Sequence, residues 1–251
     1  MPADILYCGD TTLTAAGSYL AGVLQHHGLA FDYRASHEPL RTGDLDPCRT
    51  LCILSDYPAA HFDVALQRRL LEQVAAGAGL LMIGGWESFH GHGGNWNLSP
   101  IAEALPVEIM ATDDRINCDH PALLRATQPH PITSDLPWDE HPPTIGGFNR
   151  ITPRHDAQVL LEVDRCAAVH GDAGWSLNVI ETHPLLIVGN YGAGRTAALA
   201  TDVAPHWVGG LVDWGTGRVT AHAPGAEPIE VGDRYAQFLG QLVSWVKGES
   251  T

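Results

Sequence analysis

Short apolar runs alternate with amphipathic stretches along the first 85 residues of the chain. Residues 5–8 and 51–54 are apolar without interruption, which is typical of strands that are covered on both faces of a sheet. A run at 31–35 predicts a further strand, and apolar residues at helical spacing predict helices near 16–24 and over 62–76. Strands that alternate with helices in this way predict an α/β fold with a parallel sheet and right-handed crossovers.

A fourth apolar run, residues 80–83, leads into the most distinctive loop of the sequence. Gly84 and Gly85 permit a sharp turn there, because glycine adopts backbone conformations that other residues avoid. Ligands of open α/β sheets bind at the carboxyl ends of the strands, so this loop is the first candidate for a binding site. A plain glycine-rich connection is the alternative, but the loop contains side chains that are unusual in a connector: Trp86, Glu87, Ser88, His90, His92, Asn95 and Trp96.

Acidic residues follow three of the predicted strands. Asp10, Asp56 and Glu87 come shortly after the apolar runs that end at residues 8, 54 and 83. Since the carboxyl ends of parallel strands meet at one edge of a sheet, we expect these carboxylates to line a polar pocket. The alternative for each is a helix cap or a turn, which is the commoner role of a single acid at a strand end.

The middle of the chain offers a second group of charged residues. Residues 99–105 predict a short helix that begins with a serine cap and a proline, and residues 106–110 predict a strand. The cluster of Asp113, Asp114 and Arg115 follows. It is either a structural ion pair that holds a loop or a clamp for a substrate, and residue type alone favours the structural role.

Residues 118–153 are rich in proline and histidine, and we interpret them as a surface insertion within a single domain that spans residues 1–251. A segment of this length is typical of a lid or of a contact between subunits. Its donors Cys118, Asp119 and His120 do not predict a metal site, because adjacent residues rarely point at one ion. Its apolar anchors must be covered by the chain itself or by a neighbouring copy; they are Ile132, Leu136, Trp138, Ile145 and Phe148.

The last third of the chain predicts a strand at 158–163 and a hairpin made of residues 185–188 and 196–200. Asp202 follows the second hairpin strand, and His206 and Trp207 come soon after it. We select His206 from the 14 histidines as a candidate acid/base group, because it follows a strand at the functional edge. A helix over 235–246 has an apolar stripe that should pack on the sheet.

Composition narrows the classes of partner. The chain has 251 residues, 45% of them hydrophobic, and a formal net charge of −15 with 14 Lys+Arg. This charge argues against a nucleic-acid or an anionic-membrane surface, both of which need basic patches. The five cysteines are scattered and contain no CxxC pair, and the N-terminus has no signal-peptide pattern. We therefore expect reduced thiols and a cytoplasmic protein, and we predict no metal site and no other cofactor.

Several motifs together carry a resemblance to a known family. They are Gly84-Gly85-Trp86-Glu87-Ser88-Phe89, Ala104-Leu105-Pro106-Val107-Glu108, Asp113-Asp114-Arg115, Tyr191-Gly192-x-Gly194-Arg195 and Ala204-Pro205-His206-Trp207. With these motifs the sequence resembles the family of putative glutamine amidotransferase-like proteins, which is related to the ThuA-like proteins and, more distantly, to class I glutamine amidotransferases. The resemblance implies a flavodoxin-like, three-layer α/β sandwich with a mostly parallel sheet and a site at its carboxyl edge.

One departure from the true amidotransferases limits what the resemblance implies. Those enzymes place a nucleophilic cysteine at a sharp turn between a strand and a helix, where backbone N–H groups stabilise the oxyanion. The matching strand here ends in Ile83-Gly84-Gly85-Trp86, which contains no cysteine. Ser88 lies after the turn rather than at its apex, so it is a poor replacement. We therefore predict that the protein does not hydrolyse glutamine through a thioester.

We expect a small-molecule enzyme, such as a hydrolase, isomerase or lyase, that uses Glu87 and His206 for general acid/base catalysis on a polar ligand. Two alternatives stay open: a non-catalytic binding or assembly module, and a metal-dependent hydrolase that uses His90, His92 and His206. We also expect a homo-oligomer that is a dimer or is built from dimers. The residues expected to contact the ligand are Asp10, Asp56, Gly85, Trp86, Ser88, His90, Asp114, Arg115, Asp202 and Trp207.

Overall fold

A nine-stranded mixed sheet forms the centre of the protein, in the strand order β2-β1-β3-β4-β11-β10-β9-β6-β7. The computed structural model describes residues 2–172 and 174–249. Two further pairs, β5 with β8 and β12 with β13, form small separate sheets. The strands are β1 (Ile5–Gly9), β2 (Phe31–Arg34), β3 (Leu51–Ser55), β4 (Gly79–Ile83), β5 (Val107–Ile109), β6 (Arg115–Ala126), β7 (Thr144–Asn149), β8 (Ile151–Pro153), β9 (Gln158–Gly171), β10 (Gly174–Tyr191), β11 (Gly194–Leu199), β12 (Arg218–Ala221) and β13 (Ile229–Gly232).

Four α-helices accompany the sheet: α1 (Gly17–His26), α2 (Val64–Ala75), the single turn α3 (Pro205–Val208) and α4 (Asp233–Val246). Asp63 caps α2, and its carboxylate accepts a hydrogen bond from the Ala65 N–H at 2.8 Å. Short 3₁₀ turns occupy Thr42–Asp44, Ala59–His61, Trp96–Leu98, Pro100–Glu103 and Gly209–Asp213. None of the helices in the described ranges is long and apolar enough to cross a membrane.

The prediction of an α/β fold is confirmed, and the first four strands and the helices α1, α2 and α4 lie where the apolar pattern placed them. The sheet itself is mixed. The pairings β1–β2, β1–β3, β3–β4 and β4–β11 are parallel, whereas β10–β11, β9–β10, β6–β9 and β6–β7 are antiparallel. The parallel half is the part in which helices connect the strands. After β4 the chain continues mainly through hairpins, so the sheet is half parallel rather than mostly parallel.

The segment 118–153, interpreted from its prolines as a surface insertion, contributes strands to the sheet. It contains most of β6, all of β7 and β8, and a connection of about 17 residues between β6 and β7. The alternation of apolar and polar residues that predicts a strand is interrupted here, because the pairing register of β6 shifts between Asn117 and Ala122. Its apolar anchors pack inside the chain: the Trp138 ring lies 4.4 Å from Trp214 and 5.4 Å from Phe238. The exposed apolar patch expected here is therefore absent from this segment, where Ile132, Trp138, Ile145 and Phe148 are all buried.

The end of β7 returns to the carboxyl edge of the parallel strands. The Asn149 N–H donates to the Ala200 carbonyl at 2.8 Å, and the Thr201 hydroxyl donates to the Gly147 carbonyl at 2.9 Å. Strands β6 and β7 thus curl over the point where β11 ends. This closure places residues from the middle of the sequence beside the loops that follow β1, β3, β4 and β11.

Candidate functional site

Four carboxylates lie at the carboxyl ends of neighbouring strands. Asp10, Asp56, Glu87 and Asp202 follow β1, β3, β4 and β11, which are adjacent in the sheet in that order. The backbone at Asp10 and Asp56 is left-handed, with φ of 49° and 47°. Such conformations are strained for residues other than glycine and are concentrated at functional sites. We call these four side chains the carboxylate cluster.

Asp10 is the most buried member of the carboxylate cluster. Its Oδ2 accepts a hydrogen bond from the Tyr7 hydroxyl, and its Oδ1 accepts one from Ser55 Oγ at 3.0 Å. Burial, followed by repulsion from Asp202, raises the pKa of Asp10 well above its ordinary value, and the two hydrogen bonds only partly oppose this rise. Burial and the neighbouring Asp10 likewise raise the pKa of Tyr7.

Asp202 is the member whose ionisation falls near neutral pH. Burial and the nearby Asp56 raise its pKa from 3.8 to about 7. The N–H groups of Val203 and Ala204 oppose this rise, since both donate to Asp202 Oδ1, at 2.6 and 3.2 Å. The buried Tyr235 hydroxyl donates to the Val203 carbonyl, and burial and Asp202 raise its pKa. A carboxyl group with such a pKa can both release and accept a proton at neutral pH.

Asp56 and Glu87 form the outer part of the carboxylate cluster. The Glu87 N–H donates to Asp56 Oδ1, so the two residues are held together through the backbone. Burial raises the pKa of Asp56, and burial followed by repulsion from Asp56 raises the pKa of Glu87. His61 opposes the rise at Glu87, which places this histidine near the Glu87 carboxylate. The pKa values of the four acids are therefore linked through Asp56 and Asp202.

A buried amide and a buried carboxylate hold the glycine turn in place. Asn149 forms a reciprocal pair with Gly85, accepting from the Gly85 N–H at 3.0 Å and donating to the Gly85 carbonyl at 3.1 Å. It also donates to Asp114 Oδ1 at 2.8 Å. Asp114 in turn accepts the N–H groups of His90 and Gly91 at 2.9 and 3.0 Å. Asp114 is thus occupied in shaping the loop rather than facing a ligand.

Gly85 itself has a steric role. Its φ is +153°, and a side chain there would meet the Asp56 carboxylate at 2.6 Å from the Cβ position. The close approach lets the backbone after β4 pass directly beside the carboxylate cluster. The Ser88 hydroxyl forms two hydrogen bonds within the chain. It donates to the Ile83 carbonyl and accepts from the Asp56 N–H at 2.9 Å. The buried Ser88 therefore holds two strand ends together.

Trp86 and Arg115 form an exposed rim beside the carboxylate cluster. The Arg115 guanidinium lies 4.3 Å from the centre of the Trp86 ring, and it pairs with Asp113 at 2.7 Å. Trp86 remains 45% exposed, and His92 contacts it edge-on at 6.3 Å. The His90 imidazole lies near the Gly91 carbonyl at 3.2 Å. A flat cation–aromatic pair of this kind offers a surface on which a ring of a ligand can stack.

His206 and Trp207 lie on α3 and differ in exposure. The His206 side chain is exposed, whereas the Trp207 indole is buried and donates to Asn117 Oδ1 at 2.8 Å. A side chain at Gly147 would clash with the Trp207 ring, so this indole packs closely against β7. Trp207 is therefore part of the core rather than available to a ligand. The pairing of Glu87 with His206 stays a prediction.

Two clefts lie away from the carboxylate cluster. One of about 880 Å³ runs along the connection between β6 and β7, and one of about 600 Å³ lies near Arg49, Arg69 and Lys247. Neither is lined by a member of the cluster. Within residues 2–172 and 174–249, no three His, Cys, Asp or Glu side chains are grouped in a way that could hold a metal ion.

Several residues of this site were not predicted from the sequence. Asn149 carries no local signal, because it reaches Gly85 only through the return of β7 to the sheet edge. Tyr7 and Tyr235 sit in an apolar strand and an apolar helix, where an aromatic residue normally indicates core packing. His61 was one of 14 histidines and lies on a short turn before α2. The close spacing of Tyr7 and Asp10 is the one signal that could have been used.

Comparison with known proteins identifies one sequence family and several related folds. The family model described as putative glutamine amidotransferase matches residues 59–219. No curated protein matches the chain. The chain is similar to cytoplasmic protein STM3548 from Salmonella typhimurium, with a TM-score of 0.73, 21% identity, and coverage of 97% of this chain and 98% of the other.

Two further solved structures share the fold. Cytoplasmic protein STM1381 from Salmonella typhimurium LT2 has a TM-score of 0.72 at 22% identity, covering 96% of this chain and 98% of the other. A putative ThuA-like protein from Parabacteroides merdae has a TM-score of 0.60 at 14% identity, covering 100% of this chain and 92% of the other. At these identities the likeness concerns the fold alone.

Proposed function

Because the chain belongs to the putative glutamine amidotransferase family, we propose that it is an enzyme of that fold which acts on a small polar molecule by general acid/base catalysis. The reaction classes that fit are hydrolysis, isomerisation and elimination. In this proposal the carboxylate cluster replaces the cysteine chemistry of the true amidotransferases. The ligand contacts the cluster and the rim formed by Trp86 and Arg115.

The proposal rests on the position of Asp202 among three other acids that differ in burial, and on its pKa of about 7. An acid/base catalyst works best when its pKa lies near the working pH. Neighbouring titratable groups with different environments take different protonation states, which gives one group the role of acid and another that of base. Asp202 moves the proton, and Glu87, which is only partly buried, is the second acid/base group.

The electrostatics of the site restrict the ligand class. Four carboxylates meet at this edge of a chain whose formal charge is −15, so an anionic substrate is repelled. Neutral or cationic polar molecules, such as carbohydrates and amides, fit the acceptors of the cluster and the stacking surface of Trp86. His206 is exposed on α3 at the exit of β11, and we place it at the mouth of the site as a partner of Glu87.

A cysteine-dependent glutaminase is not part of the proposal. Cys8 and Cys52 are buried in β1 and β3, where burial raises the pKa of the Cys8 thiol. Cys48, Cys118 and Cys166 lie outside the loop after β4. The thiolate is the nucleophilic form of cysteine, and a raised pKa disfavours it. The five free thiols fit a reducing compartment, so we also propose a cytoplasmic location.

We also propose a flavodoxin-like, three-layer sandwich. The connections from β1 to β2 and from β3 to β4 run in opposite directions along the sheet, and we infer that both are right-handed crossovers, with α1 and α2 on opposite faces. Helix α4 contacts α1 as well as β4 and β11. Helices on both faces of the parallel half are the arrangement of a flavodoxin-like, three-layer sandwich.

The second candidate is a non-catalytic binding or assembly module. This candidate is favoured because three residues that were predicted to contact the ligand form hydrogen bonds within the chain instead. Ser88, Asp114 and Trp207 all use their polar groups to hold the chain together. A protein that retains a fold and loses an activity would keep such contacts. The two candidates differ in whether a molecule is consumed.

Mass spectrometry of a metabolite mixture tests the proposal. The purified protein is incubated with a deproteinised bacterial extract, beside Asp202→Asn, Glu87→Gln and the control Asp139→Asn, which changes an exposed acid in the connection between β6 and β7. We expect one or more neutral or cationic metabolites to be consumed by the wild type and the control. Asp202→Asn and Glu87→Gln should reduce this consumption at least about 100-fold, within the range typical of a lost acid/base group.

Two results would contradict the proposed enzymatic function. If no metabolite is consumed but a sugar or amide raises the melting temperature, the binding module is the better assignment. If consumption is undiminished in Asp202→Asn, the proton transfer does not depend on the carboxylate cluster. His206→Gln, measured in the same assay, tests the pairing with Glu87, and full activity in that variant would contradict the pairing.

A further inference from the structure

A long two-stranded arm projects from the edge at which the candidate site lies. In the described pairings, β6 accompanies β9 only as far as Arg165, and β11 accompanies β10 only from Leu186 onward. Leu186 pairs with Leu199, the last residue of β11, so the part of β10 before Leu186 extends beyond the carboxyl edge of the sheet. Residues 174–186 span at most about 40 Å at about 3.3 Å per residue. We call residues 166–172 and 174–180 the hairpin arm.

The hairpin arm carries five of the eight exposed large hydrophobic side chains of the described residues. Their exposed fractions are 76% for Trp175, 63% for Leu177, 57% for Val179, 56% for Ile180 and 46% for Val169. If a large apolar side chain offers about 150–200 Å² when fully exposed, Trp175, Leu177 and Val179 together expose roughly 300–400 Å². An apolar patch of this size on a protein surface often has a function.

One face of the hairpin arm carries three of its exposed apolar side chains. Trp175, Leu177 and Val179 alternate along β10 and therefore point to the same side. Their cross-strand neighbours on β9 are His170, Ala168 and Cys166. We call these six side chains the arm face. Ser176 and Asn178 lie on the opposite side.

The hairpin arm is also nearly free of charge. Asp172 is the one Asp, Glu, Lys or Arg among residues 166–180, in a chain that has 29 Asp+Glu and a net charge of −15. Two copies of this protein repel each other over most of their surface. They can meet at the arm face without placing like charges together.

We propose that the arm face is the interface of a two-fold symmetric dimer, in which the arms of two copies of this chain pack against each other. A two-fold axis makes a patch complementary to itself, so one apolar face is sufficient for both partners. A stable interface needs about 800 Å² per partner. Trp175, Leu177 and Val179 supply roughly 300–400 Å² of this, and Ala168, His170 and the backbone of the arm supply the rest. The dimer places the two candidate sites near the base of the paired arms.

Sedimentation equilibrium of the full chain tests the proposal. We expect the wild type to have a mass of about 54 kDa, twice 26.9 kDa, at micromolar concentration. Leu177→Lys/Val179→Lys should raise the dimer dissociation constant at least about 100-fold, because it places four lysines together at the interface. Ser176→Lys/Asn178→Lys changes the opposite side of the same strand and should stay dimeric. Unchanged circular dichroism in both variants confirms that they are folded.

Disulfide trapping provides a second measurement that needs no charged substitution. Leu177→Cys should form a covalent dimer on mild oxidation, whereas Asn178→Cys should not. A monomeric wild type at micromolar concentration would overturn the proposal. So would a dimer that survives Leu177→Lys/Val179→Lys in a folded protein, or equal trapping of the two cysteine variants, because each result places the interface elsewhere.

Discussion

Replacing Asp202 by asparagine should stabilise the protein, and more so as the pH rises. The amide keeps an oxygen that can accept the N–H groups of Val203 and Ala204. It removes a carboxyl group whose pKa is about 7 in the folded chain, against an ordinary value of 3.8. A carboxyl with a raised pKa binds more protons in the folded state than in the unfolded state. The wild type therefore loses stability as the pH rises from about 4 to about 7, and it stays at the lower level above that.

The size of the stability difference between Asp202→Asn and the wild type follows from the pH interval that the experiment covers. Each pKa unit corresponds to about 1.4 kcal/mol, and pH 5 to pH 7 covers two units, so Asp202 accounts for at most about 3 kcal/mol in this range. The side chain is partly reached by water, so we expect about 1–2 kcal/mol. For a chain of this size, 1 kcal/mol changes the melting temperature by about 2–4 °C. The advantage of Asp202→Asn over the wild type should therefore grow by about 2–8 °C between pH 5 and pH 8.

Thermal melts of both proteins at pH 5, 6, 7 and 8 measure this difference. Ionisation of Asp10 and Asp56 affects both proteins, so most of it cancels when the two melting temperatures are subtracted. Asp139→Asn controls for the loss of one negative charge at an exposed position, and its difference from the wild type should not depend on pH. A difference for Asp202→Asn that is constant with pH, or that shrinks as the pH rises, would refute the proposed ionisation of Asp202.

Two further predictions concern the glycine turn and the missing thiol chemistry. Asn149→Ala removes the two hydrogen bonds to Gly85 and the one to Asp114, so it should lower the free energy of unfolding in urea by about 2–4 kcal/mol. The control Asn178→Ala, in the exposed arm, should change this free energy by less than about 0.5 kcal/mol. A small effect of Asn149→Ala would show that the turn does not depend on this amide. The protein should release no ammonia from glutamine above the blank, because the loop directly after β4 contains no cysteine. Steady release that alkylation of the cysteines abolishes would contradict this prediction.

The parallel half of the fold was predictable because its signals are local. Apolar runs such as residues 51–54 and 80–83 are long enough to specify buried strands, and Asp63 and Gly77 mark the limits of α2. The hairpin of β10 and β11 was also predictable from the glycines between its strands. These patterns depend on neighbours in the sequence, so one chain is sufficient to recognise them.

The antiparallel half was harder to predict, for two physical reasons. Strand β6 contains a proline and a shift of register, which break the alternation that normally indicates a strand. In the described pairings, no further strand pairs with the two strands of the hairpin arm. Neither face of the arm is therefore a core face, and the usual alternation of buried apolar and exposed polar residues is missing. The segment with the prolines was therefore assigned the exposed patch that the hairpin arm carries.

The sequence could group three of the acids of the candidate site, but not the residues that support them. Asp10, Asp56 and Glu87 could be placed at one edge because parallel strands bring their carboxyl ends together, whereas Asp202 was predicted only as a ligand contact. Whether a polar side chain at that edge faces a ligand or the core depends on partners far away in sequence. Ser88 and Asp114 illustrate this dependence, since contacts with Asp56, Asn149 and the loop backbone occupy both side chains.

The ionisation of Asp202 can be measured directly by NMR of the protein labelled with ¹³C at the aspartate side-chain carboxyl carbons. Comparison with Asp202→Asn assigns the resonance, and a titration from pH 3 to pH 9 gives its midpoint. The account predicts a midpoint between about 6 and 8 for Asp202, and a midpoint below about 4 for the exposed Asp113, whose pKa the Arg115 guanidinium lowers to about 2. An Asp202 midpoint below about 5 would contradict the account, because that carboxyl group would then be ionised throughout the neutral range and could not donate a proton.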